Sequence, residues 1–442
     1  AWRSAWNRRF VLSLTVLSVA LSCFLLVSLE RLRTDVRQQF SRSVSGTDLI
    51  VGARTGDLQL LLYAVFRLGH AAQNMSAASV KALEAHRAVA WVVPISLGDS
   101  HRGFPVVATT TAYFDHFQYG DRQALQLARG RRFDGRAQGR FEAVLGAEVA
   151  RRLGHGVGSR LVLSHGDGAL EDSDHADQPF VVVGVLKATG TPVDRSVHID
   201  LQGMEALHAD WMGGVRIPGW QTPRDDVGSP LDGHPQGHEH DHGHAHDHEP
   251  ASPKHTLTPR SVTAALVGLK SRVAVFSVQR WVSDVREEPL MAVLPGVALD
   301  QLWHMVGVGE KALMAVIALV SVVSIAGLVA VIMASLNERR RELAILRAVG
   351  AGPRQLWLLL SAEGALVTVL GAALGLAASL LAAALLQEPL QQALGLSLSA
   401  GAPDAAQWRL VAAVIGAGWL ASLLPGWRAF RMSLHDGLTP RV

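Results

Sequence analysis

Ala312–Leu336 reads ALMAVIALVSVVSIAGLVAVIMASL, 25 residues without a charged side chain. As a helix rising 1.5 Å per residue it exceeds the roughly 30 Å hydrocarbon core of a bilayer, so it predicts a transmembrane span. Working outward, three more stretches read the same way: Phe10–Leu29, Leu356–Leu386 and Leu410–Leu424, the last carried on to Trp427. The first follows Arg3, Arg8 and Arg9 and runs into Glu30-Arg31-Leu32-Arg33. It is too long for a signal-peptide apolar region and has no Ala-x-Ala-like site, so it is expected to be a retained anchor. The fold class expected is a membrane protein with four transmembrane α-helices and a large α+β extracytoplasmic domain between the first two.

Composition agrees with lipid. The mean hydropathy is +0.22 and 49% of the 442 residues are hydrophobic, high for a soluble chain of this length. The formal charge of +3 and pI near 9.3 come largely from arginines beside the apolar segments, where the positive-inside rule accounts for them, and no nucleic-acid partner is expected. Cys23 is the single cysteine and lies in the first span, which excludes an intrachain disulfide, a cysteine metal site and a redox pair.

The arginines also set an orientation. Residues 1–9, 337–355 and 428–442 carry them and are expected to be cytoplasmic, leaving 30–311 and 387–409 outside, with both termini in the cytoplasm of a bacterial inner membrane. In the outer region, Arg31–Ser45 extends the first helix as a stalk. Strands are expected at Asp48–Ala53, Val89–Leu97, Val106–Thr111, Ala143–Leu145, Arg160–Leu163, Phe180–Leu186, Ser196–Ile199, Val262–Val267 and Ala274–Val278. Helical spacing recurs at Leu58–Leu68, Ser76–His86, Gly146–Leu153, Val282–Glu288 and Leu299–Val306. Residues 218–259 turn to Pro, Gly, Asp and His with almost no aliphatic side chains, a composition expected to remain a disordered insertion.

After the second span comes Asn337-Glu338-Arg339-Arg340-Arg341-Glu342-Leu343-Ala344-Ile345-Leu346-Arg347-Ala348-Val349-Gly350-Ala351. On a helix, Leu343, Ile345, Leu346 and Val349 share an apolar face while the charged residues stay solvated; a surface helix obeying topology and a helix docked on a cytosolic partner both fit. Glu363, Gly371 and Gly375 follow in the third span, and the fourth ends Leu424-Pro425-Gly426-Trp427-Arg428-Ala429-Phe430-Arg431. These segments, with Asp48–Ala53, Phe141–Gly158 and Phe180–Ile199, resemble the MacB/FtsX-type ABC transporter permeases, which include the lipoprotein-releasing permeases. Gly426 and the tail Ser433–Leu438 depart from the family's usual ending. The resemblance implies a permease homodimer driven by a separate cytosolic ABC ATPase that holds ATP and Mg, with no cofactor in this chain. It assigns ATPase coupling to Glu338, Arg339, Glu342, Leu343, Leu346, Arg347 and Gly350.

Gly371-x-x-x-Gly375 is read as a helix-packing pair, within one subunit or between two. His234, His238, His240, His242, His244, His246 and His248, interleaved with acids, are candidate ligands for Zn²⁺ or a similar ion, and a plain polar spacer is the other reading. His155, His165, His175, His198 and His208 are expected to be surface or capping residues. Gly307-Val308-Gly309-Glu310-Lys311 lacks the length and hydroxyl of a P-loop, and no nucleophile elbow or metalloprotease motif occurs, so the chain is expected to be non-catalytic. Two functions follow: a permease that exports or extracts a substrate, with divalent-metal handling as one version, or a signalling scaffold that activates a periplasmic partner protein without transport.

Overall fold

The structure, a computed structural model, describes residues 9–43, 45–69, 73–136, 139–166, 178–208, 211–212, 215–216, 259–338, 345, 349–394, 398–399 and 401–431. Two compact units emerge, one of Ser43–Ala298 and one of Ala1–Arg42 with Leu299–Val442.

In the membrane unit, α1 (Arg9–Ser43), α8 (Pro295–Glu338), α9 (Pro353–Leu394) and α10 (Ala405–Arg431) are the four helices long and apolar enough to cross a bilayer among the described residues. All four run past the apolar stretches that predict them. Helix α9 holds the bundle together, and small residues let it do so. A Cβ on Gly371 would meet Val19 Cβ at 2.8 Å, and one on Gly375 would meet the Ala20 carbonyl oxygen at 2.4 Å, so this pair seats α1. One to two turns earlier Gly364 faces Ser422, and Gly418 of α10 faces Thr368, which seats α10. In lipid such close approach supplies the packing that the hydrophobic effect cannot. Hydroxyl bridges add direction: Ser22 Oγ lies 2.8 Å from Ser324 Oγ of α8, and Ser28 donates to Ser379 Oγ of α9 at 3.0 Å.

The outer unit is built on an eleven-stranded mixed sheet. Its strands are β1 (Leu49–Ala53), β2 (Val89–His101), β3 (Phe104–Thr109), β4 (Leu127–Gly130), β5 (Glu142–Leu145), β6 (Arg160–Leu161), β7 (Ser164–His165), β8 (Phe180–Leu186), β9 (Val197–Asp200), β10 (Ala264–Leu269) and β11 (Leu290–Val293). The order is β11-β1-β10-β2-β3-β9-β5-β8-β4, with β7 on β2 and β6 on β8. Among the described strands, only β3–β9 and β5–β8 pair in parallel. Strands β10 and β11 follow the insertion in sequence yet flank β1, with Val51 opposite both Ala265 and Ala292. The domain is therefore closed by chain on both sides of the insertion.

Alternation explains the strands that are legible locally. Phe180, Val182 and Leu186 of β8 point into the core with Val197 and Ile199 of β9, while Val181 stays partly exposed. Short helices cover the sheet: α2 (Asp57–Ala64), α3 (Ala77–Ala85), α4 (Ala112–His116), α5 (Ala147–Leu153), α6 (Leu201–Leu207) and α7 (Val275–Ser283). Ser76 caps α3 by accepting from Ser79 N at 3.2 Å, and Gly154 ends α5 in the left-handed region at φ +66°.

One expected strand is a helix. In Ala274–Val278, Ala274 ends a 3-10 turn and the rest falls in α7, where Val275, Val278 and Val282 are buried at helical spacing; a five-residue apolar run does not fix its own period, and packing against β11 decided it. Conversely Val282–Glu288 is helical only to Ser283, and β4, β7 and β11 were not foreseen, being short and paired at long range.

Candidate functional site

Three regions hold candidate functional side chains. The first lies where α1 and α8 leave their apolar spans at the same end. Glu310 of α8 takes Arg33 Nε at 2.9 Å and Arg37 Nη2 at 3.3 Å, with Glu30 3.4 Å from Arg33. Next to this network Trp303 packs edge-on against Phe40 at 5.6 Å, and Arg37 lies over its ring at 5.2 Å. A carboxylate shared by two arginines and flanked by a ring pair links the two helices at this level. Nearby, buried Arg31 donates to the Ser399 and Gly401 carbonyls at 2.9 and 3.1 Å and to Gln407 Oε1 at 3.1 Å, tying the α9–α10 connection to α1. No sequence motif marked Glu310, Trp303 or Arg31 for these contacts; an ionisable side chain next to an apolar span is the one local signal.

The second region is the segment expected to couple to an ATPase. Glu338 is the last residue of α8, and Gly350 sits in a turn at φ +105° just ahead of α9. Arg339, Glu342, Leu343, Leu346 and Arg347 lie outside the described residues, as do His234, His238, His240, His242, His244, His246 and His248.

The third region was not anticipated. His165 and His208, expected as unrelated surface or capping residues, converge on Asp99 of β2. His165 Nδ1 is 3.0 Å and His208 Nε2 3.3 Å from Asp99 Oδ1, and the two ring nitrogens are 3.3 Å apart. The β7–β2 ladder sets His165 opposite Asp99, and His208, which does cap α6, is brought in by that helix; Asp200 starts α6 by accepting from Gln202 N at 2.8 Å. Burial works against an ionised Asp99, but its bonds and charge interactions with His165 and His208 prevail and hold its carboxyl at about 2. For His208 burial favours the neutral ring, and Asp99 outweighs it, raising the histidine. Two residues along β2, His101 Nε2 lies 3.3 Å from His155 Nε2, while His101 Nδ1 bonds the Val162 carbonyl at 2.7 Å. His198 lies elsewhere, buried among Tyr113 and Phe114 with Nδ1 3.3 Å from the Val144 carbonyl; His175 is outside the described residues.

Residues 12–218 match the MacB-like periplasmic core domain, and residues 314–434 match the FtsX-like permease C-terminal domain. The first match starts within α1 and runs on into the outer unit, and the second lies within the membrane unit. The chain belongs to the MacB/FtsX-type ABC transporter permeases. This permease is a multi-pass membrane protein in which an α+β periplasmic-type domain separates the first membrane helix from the other three. Among solved structures it is similar to the periplasmic region of MacB from Actinobacillus actinomycetemcomitans, with 11% identity over 59% of this chain and 94% of that one and a TM-score of 0.35. It is also similar to the extracellular domain of the noncanonic ABC-type transporter YknZ from Gram-positive bacteria, with 13% identity over 56% and 98% and a TM-score of 0.30. No curated protein matches the permease in sequence.

Proposed function

We propose that this permease works as a homodimer in which a separate cytosolic ATPase, gripping the segment from Glu338 to Gly350, drives α1 and α8 as levers that move the outer domains and export or extract a substrate. The observation that supports this reading is the paired helix geometry. Helix α8 runs 44 residues without a break, about 66 Å at 1.5 Å per residue and twice a bilayer core, and Glu310 with Trp303 clasps it to the 35-residue α1 beyond the apolar span. Unbroken, cross-braced helices carry displacement over that length; a hinge in either would dissipate it.

The test separates the two ends of the lever. Leu346→Asp sets a charge on the apolar face of the segment and is expected to abolish co-purification of the ATPase while leaving membrane insertion intact. Glu310→Ala is expected to leave the ATPase bound but to uncouple it: spin-label distances between outer domains should stop responding to ATP. Undiminished ATPase yield with Leu346→Asp refutes the docking, and an unchanged ATP response with Glu310→Ala refutes the lever. The histidine-rich insertion adds a metal-collecting tether to this scheme, from the ligand chemistry of its sequence.

A further inference from the structure

The three side chains at the end of β2 form a pattern that ordinary hydrogen bonding accounts for poorly. Asp99 Oδ1, His165 Nδ1 and His208 Nε2 make a near-equilateral triangle with edges of 3.0, 3.3 and 3.3 Å. A tetrahedral zinc ion with bonds of about 2.0–2.1 Å holds its ligand atoms about 3.3 Å apart, so a point just off the plane of this triangle lies at bonding distance from all three.

The tautomer argues the same way. His208 Nδ1 lies 3.0 Å from the Met204 carbonyl, an acceptor only, so Nδ1 carries a proton, and in the neutral ring the Nε2 lone pair is aimed at Asp99 and His165. In the neutral ring, that lone pair lies 3.3 Å from a carboxylate oxygen and 3.3 Å from another ring nitrogen, where one bound cation would engage all three atoms. A proton on one ring serves one edge of the triangle; a single metal ion serves all three. A backbone carbonyl orienting a ligating histidine is also the arrangement that raises its basicity as a ligand.

Burial points to a ligand as well. Asp99 is 4% exposed, its side chain fully enclosed, and its Oδ2 has no hydrogen-bond partner among the described residues. His165, by contrast, has 47% of its side chain exposed. The site therefore has a fixed anionic floor and a wet side, which leaves the fourth tetrahedral position for water or for an exchanging ligand.

We propose that Asp99, His165 and His208 form a mononuclear site for Zn²⁺, or a divalent ion of the same borderline class, on the outer domain. The donor set of one carboxylate and two imidazoles excludes the hard ions: Ca²⁺ requires six or more oxygens, and Mg²⁺ a nearly octahedral oxygen shell. With three protein ligands and one open position the site is suited to loading and releasing an ion, unlike a closed structural centre. It is distinct from the insertion, and it stands whether or not the lever reading holds.

The experiment uses the full-length permease in detergent, with the seven histidines from His234 to His248 replaced by serine so that ions on the insertion do not enter the count. Zn²⁺ is titrated by calorimetry and Co²⁺ by visible absorption. One ion per chain is expected, with the intense visible bands of tetrahedral Co²⁺. Asp99→Asn, His165→Ala and His208→Ala should each weaken binding at least about 100-fold, and loss of the open-site ligand His165, on the wet side, leaves the fold intact. Melting curves without metal identify any variant that fails to fold, and His165→Ala then decides the matter. Absence of stoichiometric binding in the serine background, or binding unchanged in folded His165→Ala, overturns the proposal and leaves a hydrogen-bonded imidazolium–carboxylate cluster.

Discussion

Gly375→Ala adds one methyl group to α9 where the structure has no room for it. The new Cβ would stand 2.4 Å from the Ala20 carbonyl oxygen, 2.8 Å from Cys23 Cβ and 3.0 Å from Phe24 N. Two of these atoms are backbone, so no rotamer change relieves the overlap, and α1 has to move away by up to about 1 Å. A gap of 0.5–1 Å forfeits a quarter to a half of each dispersion contact it opens, and overpacking of this kind costs about 1–3 kcal/mol. The displacement also loosens the Gly371–Val19 contact and the Cys23–Ala372 contact one turn away, the latter now 3.6 Å from Sγ to the carbonyl oxygen. Gly371→Ala forces the same separation, so the double variant should lose less than the sum of the two singles, because neighbouring changes that share one relaxation do not add. Full-length protein in bicelles, unfolded by SDS or by steric trapping, gives these differences, and chemical cross-linking reports dimer yield in parallel. Unchanged stability in Gly375→Ala would refute the reasoning, and unchanged stability with a collapse in dimer cross-linking would place the seam between subunits.

Further outcomes are expected elsewhere. His198 is fully buried, and burial first, then the nearby Arg67 charge, push it down to about 3 against a partly opposing bond to the Val144 carbonyl. The unfolded chain takes up a proton near pH 6.5 that the folded chain refuses, so stability is complete above pH 6.5 and falls by up to about 1.4 kcal/mol per pH unit towards pH 3. His198→Phe should remove that component of the acid limb in thermal melts, and an acid limb of unaltered slope counts against it. Cysteines placed at Ser397 or Ser252 should react with an impermeant maleimide in cells whose outer membrane alone is opened; reaction only after the inner membrane is breached would reverse the topology. The isolated His234–His255 peptide should bind Zn²⁺ in several registers, weakening below pH 6.5 as imidazole protonates, and the chain lacking it should insert normally; no heat of binding would leave it a spacer.

The sequence by itself determined the features that repeat over a local period. An uncharged run as long as Ala312–Leu336 has only a helix open to it in lipid, since its backbone must bond within the segment. Phe180–Leu186 and the Ser76-capped α3 were legible for the same reason: alternation or a cap fixes the element before any neighbour arrives. What the tertiary structure alone decided is which elements meet. Ala274–Val278 carried no period of its own and became helix by packing. Gly371 and Gly375 announced close approach without naming the partner, and α1 of the same chain took that place. Asp99, His165 and His208 are separated by 66 and 43 positions, and nothing in the residues around each points to the others. Their meeting depends on one strand ladder and the end of one short helix, so the chemistry at that corner came into being only when the sheet closed.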